Sequence, residues 1–282
     1  MTTAALSATG SRTRLLWLDL TRSCQLQCRH CYNGSGPKGG HGAMTREDWA
    51  SVLDQAAGLG ITHVQFIGGE PTLHPDFPDL VGHALDLGLH AEVYSNRVHV
   101  SEQCWSLFRR ERVSVATSYY SDRAEEHNAV NGRPSHRRTR ANIERAVRLG
   151  VPLRVGIIGA DDERTRAARR DLQDLGVTRI GVDHVRPFGR GAHGHAPDMA
   201  DLCGGCGRGT AAIGPDGTVS PCVFSSFLDV GNVRERPLAD ILGGDQMRQA
   251  TAAMGSVARS GACEPDEECS PGYPGTECNP RN

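Results

Sequence analysis

At 282 residues the chain is long enough to bury a large core, enough for one barrel-sized domain and a smaller appendage. Thirty-one Lys and Arg against 33 Asp and Glu leave a formal net charge of -2, which gives no field for nucleic acid. No run of eighteen apolar residues is present and Met1 to Arg14 lacks the apolar core of a signal peptide, so the expectation is a cytoplasmic protein without a membrane partner, whose ten cysteines serve metal rather than disulfides.

Taken in chain order, apolar runs alternate with helical patterns. Strands are expected at Leu15 to Leu20, His63 to Ile67, His90 to Tyr94, Val113 to Ser118, Leu153 to Ile158 and Arg179 to His184. Helices are expected at Arg46 to Gly58, Asp76 to Leu87, Glu102 to Arg110, Thr139 to Leu149 and Glu163 to Leu175. Gly58, Gly88, Gly150 and Gly176 stand where helices end, and Thr45 with Asp48 three positions on marks a helix start. The basic stretch from Arg133 to Arg148 reads as a solvated helix face, with reception of an acidic partner segment as the lesser reading. This beat implies a parallel sheet with helices outside it.

The most specific chemistry follows the first strand, where Cys24, Cys28 and Cys31 fall within Cys24-Gln25-Leu26-Gln27-Cys28-Arg29-His30-Cys31-Tyr32. Three thiolates on one loop can hold three irons of a cubane and leave the fourth iron open; zinc or a set of buried thiols is the bland reading. The second strand then closes in Gly68-Gly69-Glu70-Pro71. A C-x3-C-x2-C loop after one strand with G-G-E-P after the next resembles the radical S-adenosylmethionine (SAM) superfamily.

That resemblance implies a partial (β/α)6 TIM-type barrel with its chemistry at the C-terminal strand ends. It implies a 4Fe-4S cluster on Cys24, Cys28 and Cys31, with SAM bound at the open iron. Gly68, Gly69 and Glu70, followed by Pro71, would hold the methionyl ammonium: glycine lets carbonyls approach and a carboxylate suits a cation. Ser95 and Asn96 match the strand end that contacts the ribose, Ser118 a carboxylate contact, and Arg186 part of the adenine pocket, while ordinary loop polarity is the alternative for each. His30 stands where the family usually carries an aromatic residue beside the adenine, serving through shape and backbone rather than titration.

Gly189-Arg190-Gly191-Ala192-His193-Gly194 formally fits a dinucleotide fingerprint, but His195-Ala196-Pro197-Asp198 follows instead of a helix. The segment reads as a linker, and His193 and His195 as surface residues. Beyond it Cys203, Cys206, Cys222, Cys263, Cys269 and Cys278 crowd together, Cys104 being a core residue elsewhere. Pro215-Asp216-Gly217 predicts a hairpin that returns Cys222 toward Cys203 and Cys206, and Leu238 to Ala253 reads as a helix. This pattern resembles the SPASM/twitch extension of radical SAM enzymes, which carries auxiliary iron-sulfur clusters. It departs from a full SPASM run, with Ser260 where a cysteine would fall before Cys263 and with Cys278 late. One auxiliary 4Fe-4S cluster on Cys203, Cys206, Cys222 and Cys278 is the economical assignment, with Cys263 and Cys269 as alternatives for the last ligand or as a partial second site. A zinc site stapling the tail is the other reading. The organisation expected is a tail over 1–14, the barrel over 15–190 and the auxiliary domain over 191–282.

By the same resemblance the reduced cluster and SAM yield a 5′-deoxyadenosyl radical that takes hydrogen from substrate, and the auxiliary cluster favours net oxidation such as a crosslink, a thioether or a dehydrogenation. The substrate class implied is a ribosomally synthesised peptide, with an external one-electron reductant as a further partner; since little chain precedes Leu15, either a separate peptide-recognition protein or direct recognition of the substrate is expected. The alternatives are radical oxidation or rearrangement of a small natural-product intermediate such as an antibiotic sugar, and a non-enzymatic iron-sulfur or zinc sensor. Asp19, Gln65, Glu92 and Asp183, polar residues inside apolar strands, are the candidates for a substrate wall, Glu92 first; alternation puts each on one face without saying which face is the lumen, and ion pairing is the competing reading.

Overall fold

Side-chain alternation along the strands sorts the interior into two layers. A computed structural model describes residues 13–160 and 162–257. On β1 (Leu15–Asp19), Leu16 and Leu18 enter the large core between sheet and helices, while Leu15 and Trp17 join an inner cluster with Phe188, Cys206, Cys222 and Met254. The same alternation runs through β2 (His63–Ile67), β3 (His90–Tyr94), β4 (Val113–Tyr119), β5 (Leu153–Ile158) and β6 (Arg179–Asp183). Val64 with Phe66, Ala91 with Val93 and Val113 with Val115 all face the outer core. Gln65, Glu92 and Asp183 therefore take the inner face, as does Asp19.

The six strands form a parallel array in the spatial order β6-β5-β4-β3-β2-β1. Helices α1 (Arg46–Gly58), α2 (Phe77–Asp86), α3 (Glu102–Phe108), α5 (His136–Arg148) and α6 (Glu163–Asp174) lie in the crossovers. This is the partial barrel that the alternation of strands and helices implies. Trp49, Phe66, Phe77 and Phe108 are fully buried, and each contributes roughly 1.5–3 kcal/mol relative to an exposed side chain. Thr45 caps α1 reciprocally with Asp48, the arrangement its spacing predicts.

The chain then returns to the far edge of β1. There β7 (Thr210–Ile213) pairs parallel with β1, and β8 (Thr218–Ser220) and β9 (Gly231–Asn232) follow antiparallel, making one nine-stranded sheet. Pro215-Asp216-Gly217 forms the expected turn between β7 and β8, with Gly214 N–H bonded to the Thr218 carbonyl.

Three expectations are corrected. The segment between β4 and β5 holds an additional helix, α4 (Ala124–Asn131), whose Arg123 N-cap offers no side-chain cap. The helix expected from Thr139 starts at His136. The helix expected over Leu238 to Ala253 is two helices, α7 (Leu238–Leu242) and α8 (Asp245–Val257), because Gly243 and Gly244 end the first: Gly243 N–H returns to the Ala239 carbonyl. Cys263, Cys269 and Cys278 lie outside the described residues.

Candidate active site

The loop after β1 is fixed by backbone bonds from three directions. Gly69 N–H donates to the Thr21 carbonyl at 2.7 Å and Glu70 N–H to the Ser23 carbonyl at 2.9 Å, so the turn after β2 lies flat against it. A side chain on Gly69 would stand 2.4 Å from the Ser23 carbonyl oxygen, a distance that only glycine tolerates. From α4, the carbonyls of Val130 and Asn131 receive Arg29 N–H and Gln27 N–H, each at 3.0 Å. From the segment after β6, Arg190 N–H bonds the Cys31 carbonyl while its guanidinium reaches the carbonyls of Cys28, Gly34 and Ser35 at 2.7, 2.8 and 2.7 Å.

This framework presents Cys24, Cys28 and Cys31 on the wall of a cavity of about 1280 Å³. Cys28 Sγ lies 3.2 Å from Asn131 Oδ1, Cys31 Sγ lies 3.1 Å from Asn33 Oδ1, and Asn96 Nδ2 approaches Cys24 Sγ at 3.6 Å. Burial pushes the thiols of Cys24 and Cys28 up to about 12, so a metal must displace protons to bind there. An all-sulfur donor set fits iron-sulfur ligation, and no disulfide consumes it.

Gly68, Gly69, Asn96, Ser118, Arg186 and His30 line the same cavity. Glu70 is fully buried behind that wall: one carboxylate oxygen accepts Thr72 N–H and the Thr72 hydroxyl, the other accepts Asn96 N–H at 2.8 Å. Burial raises its carboxyl above the usual range against the lowering effect of these bonds. Glu70 thus ties the glycine turn to the end of β3, and Pro71 is buried beside it. Ser95 is buried with Glu70, its hydroxyl accepting Arg97 N–H. Ser118 bonds Tyr94 at 3.0 Å, and the His30 ring meets Tyr120 edge-on at 5.1 Å, its pKa lowered by burial and then by Arg190.

The four polar strand residues separate by their partners. Gln65 and Asp183 reach the cavity, Asp183 holding Arg186 at 3.0 Å. Glu92 accepts a bidentate Arg154 guanidinium at 2.8 and 2.7 Å and also the Gln65 amide, which turns it toward a smaller cavity at the other strand ends. Asp19 is paired with Arg22, and burial raises its carboxyl despite that partner. Sequence reading missed Arg154, Tyr120, Asn131 and Arg190; of these only Tyr120, directly after β4, carried a positional signal.

At the other side of the cavity Cys206 Sγ lies 3.9 Å from Cys203 Sγ and 3.1 Å from Cys222 Sγ. Hydrogen bonding to the other two thiols and burial keep Cys206 protonated, while the bond to Cys206 favours the thiolate of Cys222. Three soft donors gathered in a buried pocket fit an iron-sulfur group. On the same cavity wall Tyr32 meets Phe224 edge-on at 5.1 Å between ring centroids, and Phe188 stacks on Phe224 at 5.9 Å.

A family model described as the radical SAM superfamily matches residues 18–175, more than half of the chain. The chain belongs to the radical SAM superfamily. A second family model, the SPASM iron-sulfur cluster-binding domain, matches residues 203–271. As a radical SAM protein with a SPASM domain it is an enzyme whose cofactors are a 4Fe-4S cluster, SAM and auxiliary iron-sulfur. A PqqA peptide cyclase from Streptomyces rochei is 28% identical over 268 residues, covering 79% of this chain and 74% of that protein. Among solved structures, Streptococcus suis SuiB bound to precursor peptide SuiA superposes with a TM-score of 0.71 at 16% identity, over 87% of this chain and 67% of SuiB. AnSMEcpe with bound AdoMet and the Cp18Cys peptide superposes with a TM-score of 0.70 at 13% identity, over 94% of this chain and 92% of that one. These structural likenesses show that this radical SAM enzyme shares their fold.

Proposed function

We propose that this radical SAM enzyme oxidatively modifies a ribosomally synthesised peptide, forming a crosslink, thioether or dehydrogenated side chain. The carrying observation is that one cavity is bounded by Cys24, Cys28 and Cys31 and also by Cys203, Cys206 and Cys222. Its volume, about 1280 Å³, exceeds the roughly 300–1,000 Å³ of a small-ligand pocket, so peptide residues have room beside SAM. The similarity to a PqqA peptide cyclase supports the peptide class.

When bound, the reduced cluster and SAM supply a 5′-deoxyadenosyl radical that abstracts hydrogen from a substrate C–H bond. The chain's own residues position and shield that event. Cys24, Cys28 and Cys31 ligate the first cluster; Gly68 and Gly69 bring backbone carbonyls to the methionyl ammonium, with Glu70 fixing their turn from behind. Asn96, Ser118, Arg186 and His30 surround the rest of SAM. Tyr94, Tyr120, Phe188 and Phe224 supply an aromatic wall that limits water. Cys203, Cys206 and Cys222 hold the auxiliary cluster, completed by Cys278 or by Cys263 or Cys269. Residues 15–190 and 191–282 make up the two units, working in a reducing cytoplasm with an external one-electron donor and a separate peptide-recognition protein.

The test is anaerobic incubation of dithionite-reduced holoenzyme with SAM and a panel of candidate precursor peptides. The expected result is 5′-deoxyadenosine together with peptide that has lost two hydrogen atoms. Formation of 5′-deoxyadenosine with every peptide of the panel left unaltered overturns the peptide reading.

A further inference from the structure

The strand at the outer end of the parallel array, β6, pairs only with β5 among the described residues, and the large cavity continues along it. Val177, Arg179, Ile180, Gly181, Val182 and Asp183 all line that cavity. In the β5–β6 ladder the carbonyl of Asp183 accepts Gly159 N–H at 2.9 Å. Residues 179, 181 and 183 thus direct their backbone groups to β5, and alternation leaves those of Ile180 and Val182 on the open side. Among the described residues the one side chain bonded to that side is Arg169, whose Nη1 reaches the Ile180 carbonyl at 3.5 Å, the limit of a hydrogen bond.

The edge is unblunted by proline. It is also not apolar: Arg169 and Arg179 flank it, and neither has a carboxylate within ion-pair distance among the described residues. The acidic groups nearby are already engaged, Glu92 by Arg154 and Asp183 by Arg186. On the inner face Gly181, paired with Gly156 on the adjacent strand, leaves space where a side chain would otherwise stand: a Cβ added to Gly181 would meet nothing within 4 Å, whereas one on Gly156 would touch the Tyr94 hydroxyl at 3.7 Å. An open row of donors and acceptors, two uncompensated cations and a gap in the wall meet at one place.

We propose that β6 is the docking edge for the substrate: an extended, acidic segment of the peptide adds to the sheet as a further strand, bonded to the backbone of Ile180 and Val182 and paired with Arg169 and Arg179. The inference rests on the peptide reading above and gives it a recognition mode, in which main-chain bonds supply affinity and flanking pockets supply choice. A strand added at β6 would lie beside the cavity that the cysteines border.

The experiment uses anaerobic holoenzyme and two fluorescent probe peptides of about nine residues, enough for one strand, alternating Glu with Val in one and Lys with Val in the other. Anisotropy titrations are run on wild type, Val182→Ala, Val182→Pro and the Arg169→Glu/Arg179→Glu pair. The Val182 N–H faces the open edge, so proline removes a docking donor without removing a β5 bond, and alanine keeps the donor while removing the side chain. The expected result is at least tenfold tighter binding of the acidic peptide than the basic one, at least tenfold loss in Val182→Pro relative to Val182→Ala, and reversed preference in the arginine pair. Amide exchange in wild type gives a reading free of any folding defect in the proline variant: the Ile180 and Val182 amides slow when the acidic peptide is added.

Acidic peptide that binds wild type, Val182→Ala and Val182→Pro alike, with unchanged exchange at residues 180 and 182, overturns the edge while leaving the peptide reading standing. Equal binding of the two peptides overturns the charge complementarity. Absence of binding by either peptide overturns the docking edge outright and leaves Arg169 and Arg179 as charges that guard an exposed strand against aggregation; the peptide reading is then decided separately by the mass of the incubated precursor.

Discussion

The guanidinium of Arg190 donates to the carbonyl oxygen of Cys28 at 2.7 Å, across 162 positions of sequence. With its further bonds to Gly34 and Ser35 it gathers three carbonyls of the cysteine loop that would otherwise have no common donor. The segment after β6 is therefore a clamp on the loop that carries Cys24, Cys28 and Cys31, more than a spacer. Replacing Arg190 by alanine removes three charge-assisted bonds and is expected to destabilise the fold by at least about 2 kcal/mol. Arg190→Lys, a point charge that cannot fork to three carbonyls, should recover less than half of that. Denaturant unfolding measures the stability, and iron counted after reconstitution should fall toward the content of the auxiliary site alone.

Gly189 makes an independent test of the same clamp. Its φ of +54° lies in the left-handed region, and a side chain there would sit 2.3 Å from the Tyr32 carbonyl oxygen and 2.5 Å from that of Cys31. Gly189→Ala is expected to push the cysteine loop away from Arg190 at a cost of roughly 1–3 kcal/mol. Iron analysis combined with electron paramagnetic resonance should show loss of the SAM-responsive signal while the auxiliary signal persists. Retention of both signals would sink the idea that this backbone approach sets the loop.

What the sequence displayed and what it hid have physical causes. The six parallel strands were legible because they are apolar runs, four of them following a helix-ending glycine such as Gly88 or Gly150. The cysteine spacing and the glycine turn were legible because both are local. Helix α4 was hidden by its short span and lack of a side-chain cap, although its Asn131 reaches Cys28. Arg190 was hidden because its partners are backbone carbonyls more than 150 positions away, which leave no mark in composition. The roles of Gln65, Glu92 and Asp183 needed three dimensions for a different reason: periodicity places them on one face, but only their partners separate a cavity wall from a structural pair.

Glu92 and Arg154 illustrate that separation and carry a quantitative prediction. Their bidentate pair is buried, with side-chain exposures of 8% for Glu92 and 20% for Arg154. Glu92→Gln removes the anionic partner of a largely buried guanidinium, and the expected loss is about 3–5 kcal/mol. Replacing both residues together, as Glu92→Met with Arg154→Leu, should recover most of it, because two desolvated charges disappear at once. Thermal unfolding of the two single variants and the double variant checks this coupling. A Glu92→Gln protein with wild-type stability and a raised KM would instead assign Glu92 to substrate.

His127 sets a pH dependence. Its ring is fully buried among Tyr119, Tyr120 and His136, both ring nitrogens lack a hydrogen-bond partner among the described residues, and burial, reinforced by His136, lowers its pKa to about 3. The folded protein thus keeps this imidazole neutral while the unfolded chain protonates it below about 6.5. With the folded value depressed, the unfolded state binds more protons in that window, and stability falls as pH falls from about 6.5 toward 3. At pH 5 the contribution is about 2 kcal/mol, from 1.5 pH units at about 1.4 kcal/mol each. His127→Leu removes the titrating group and an unpaired buried polar ring, so the variant should match wild type near pH 8 and exceed it by about 2 kcal/mol at pH 5. Urea unfolding at the two pH values measures the difference, and equal acid sensitivity of the two proteins would mean that the imidazole finds a partner on protonation.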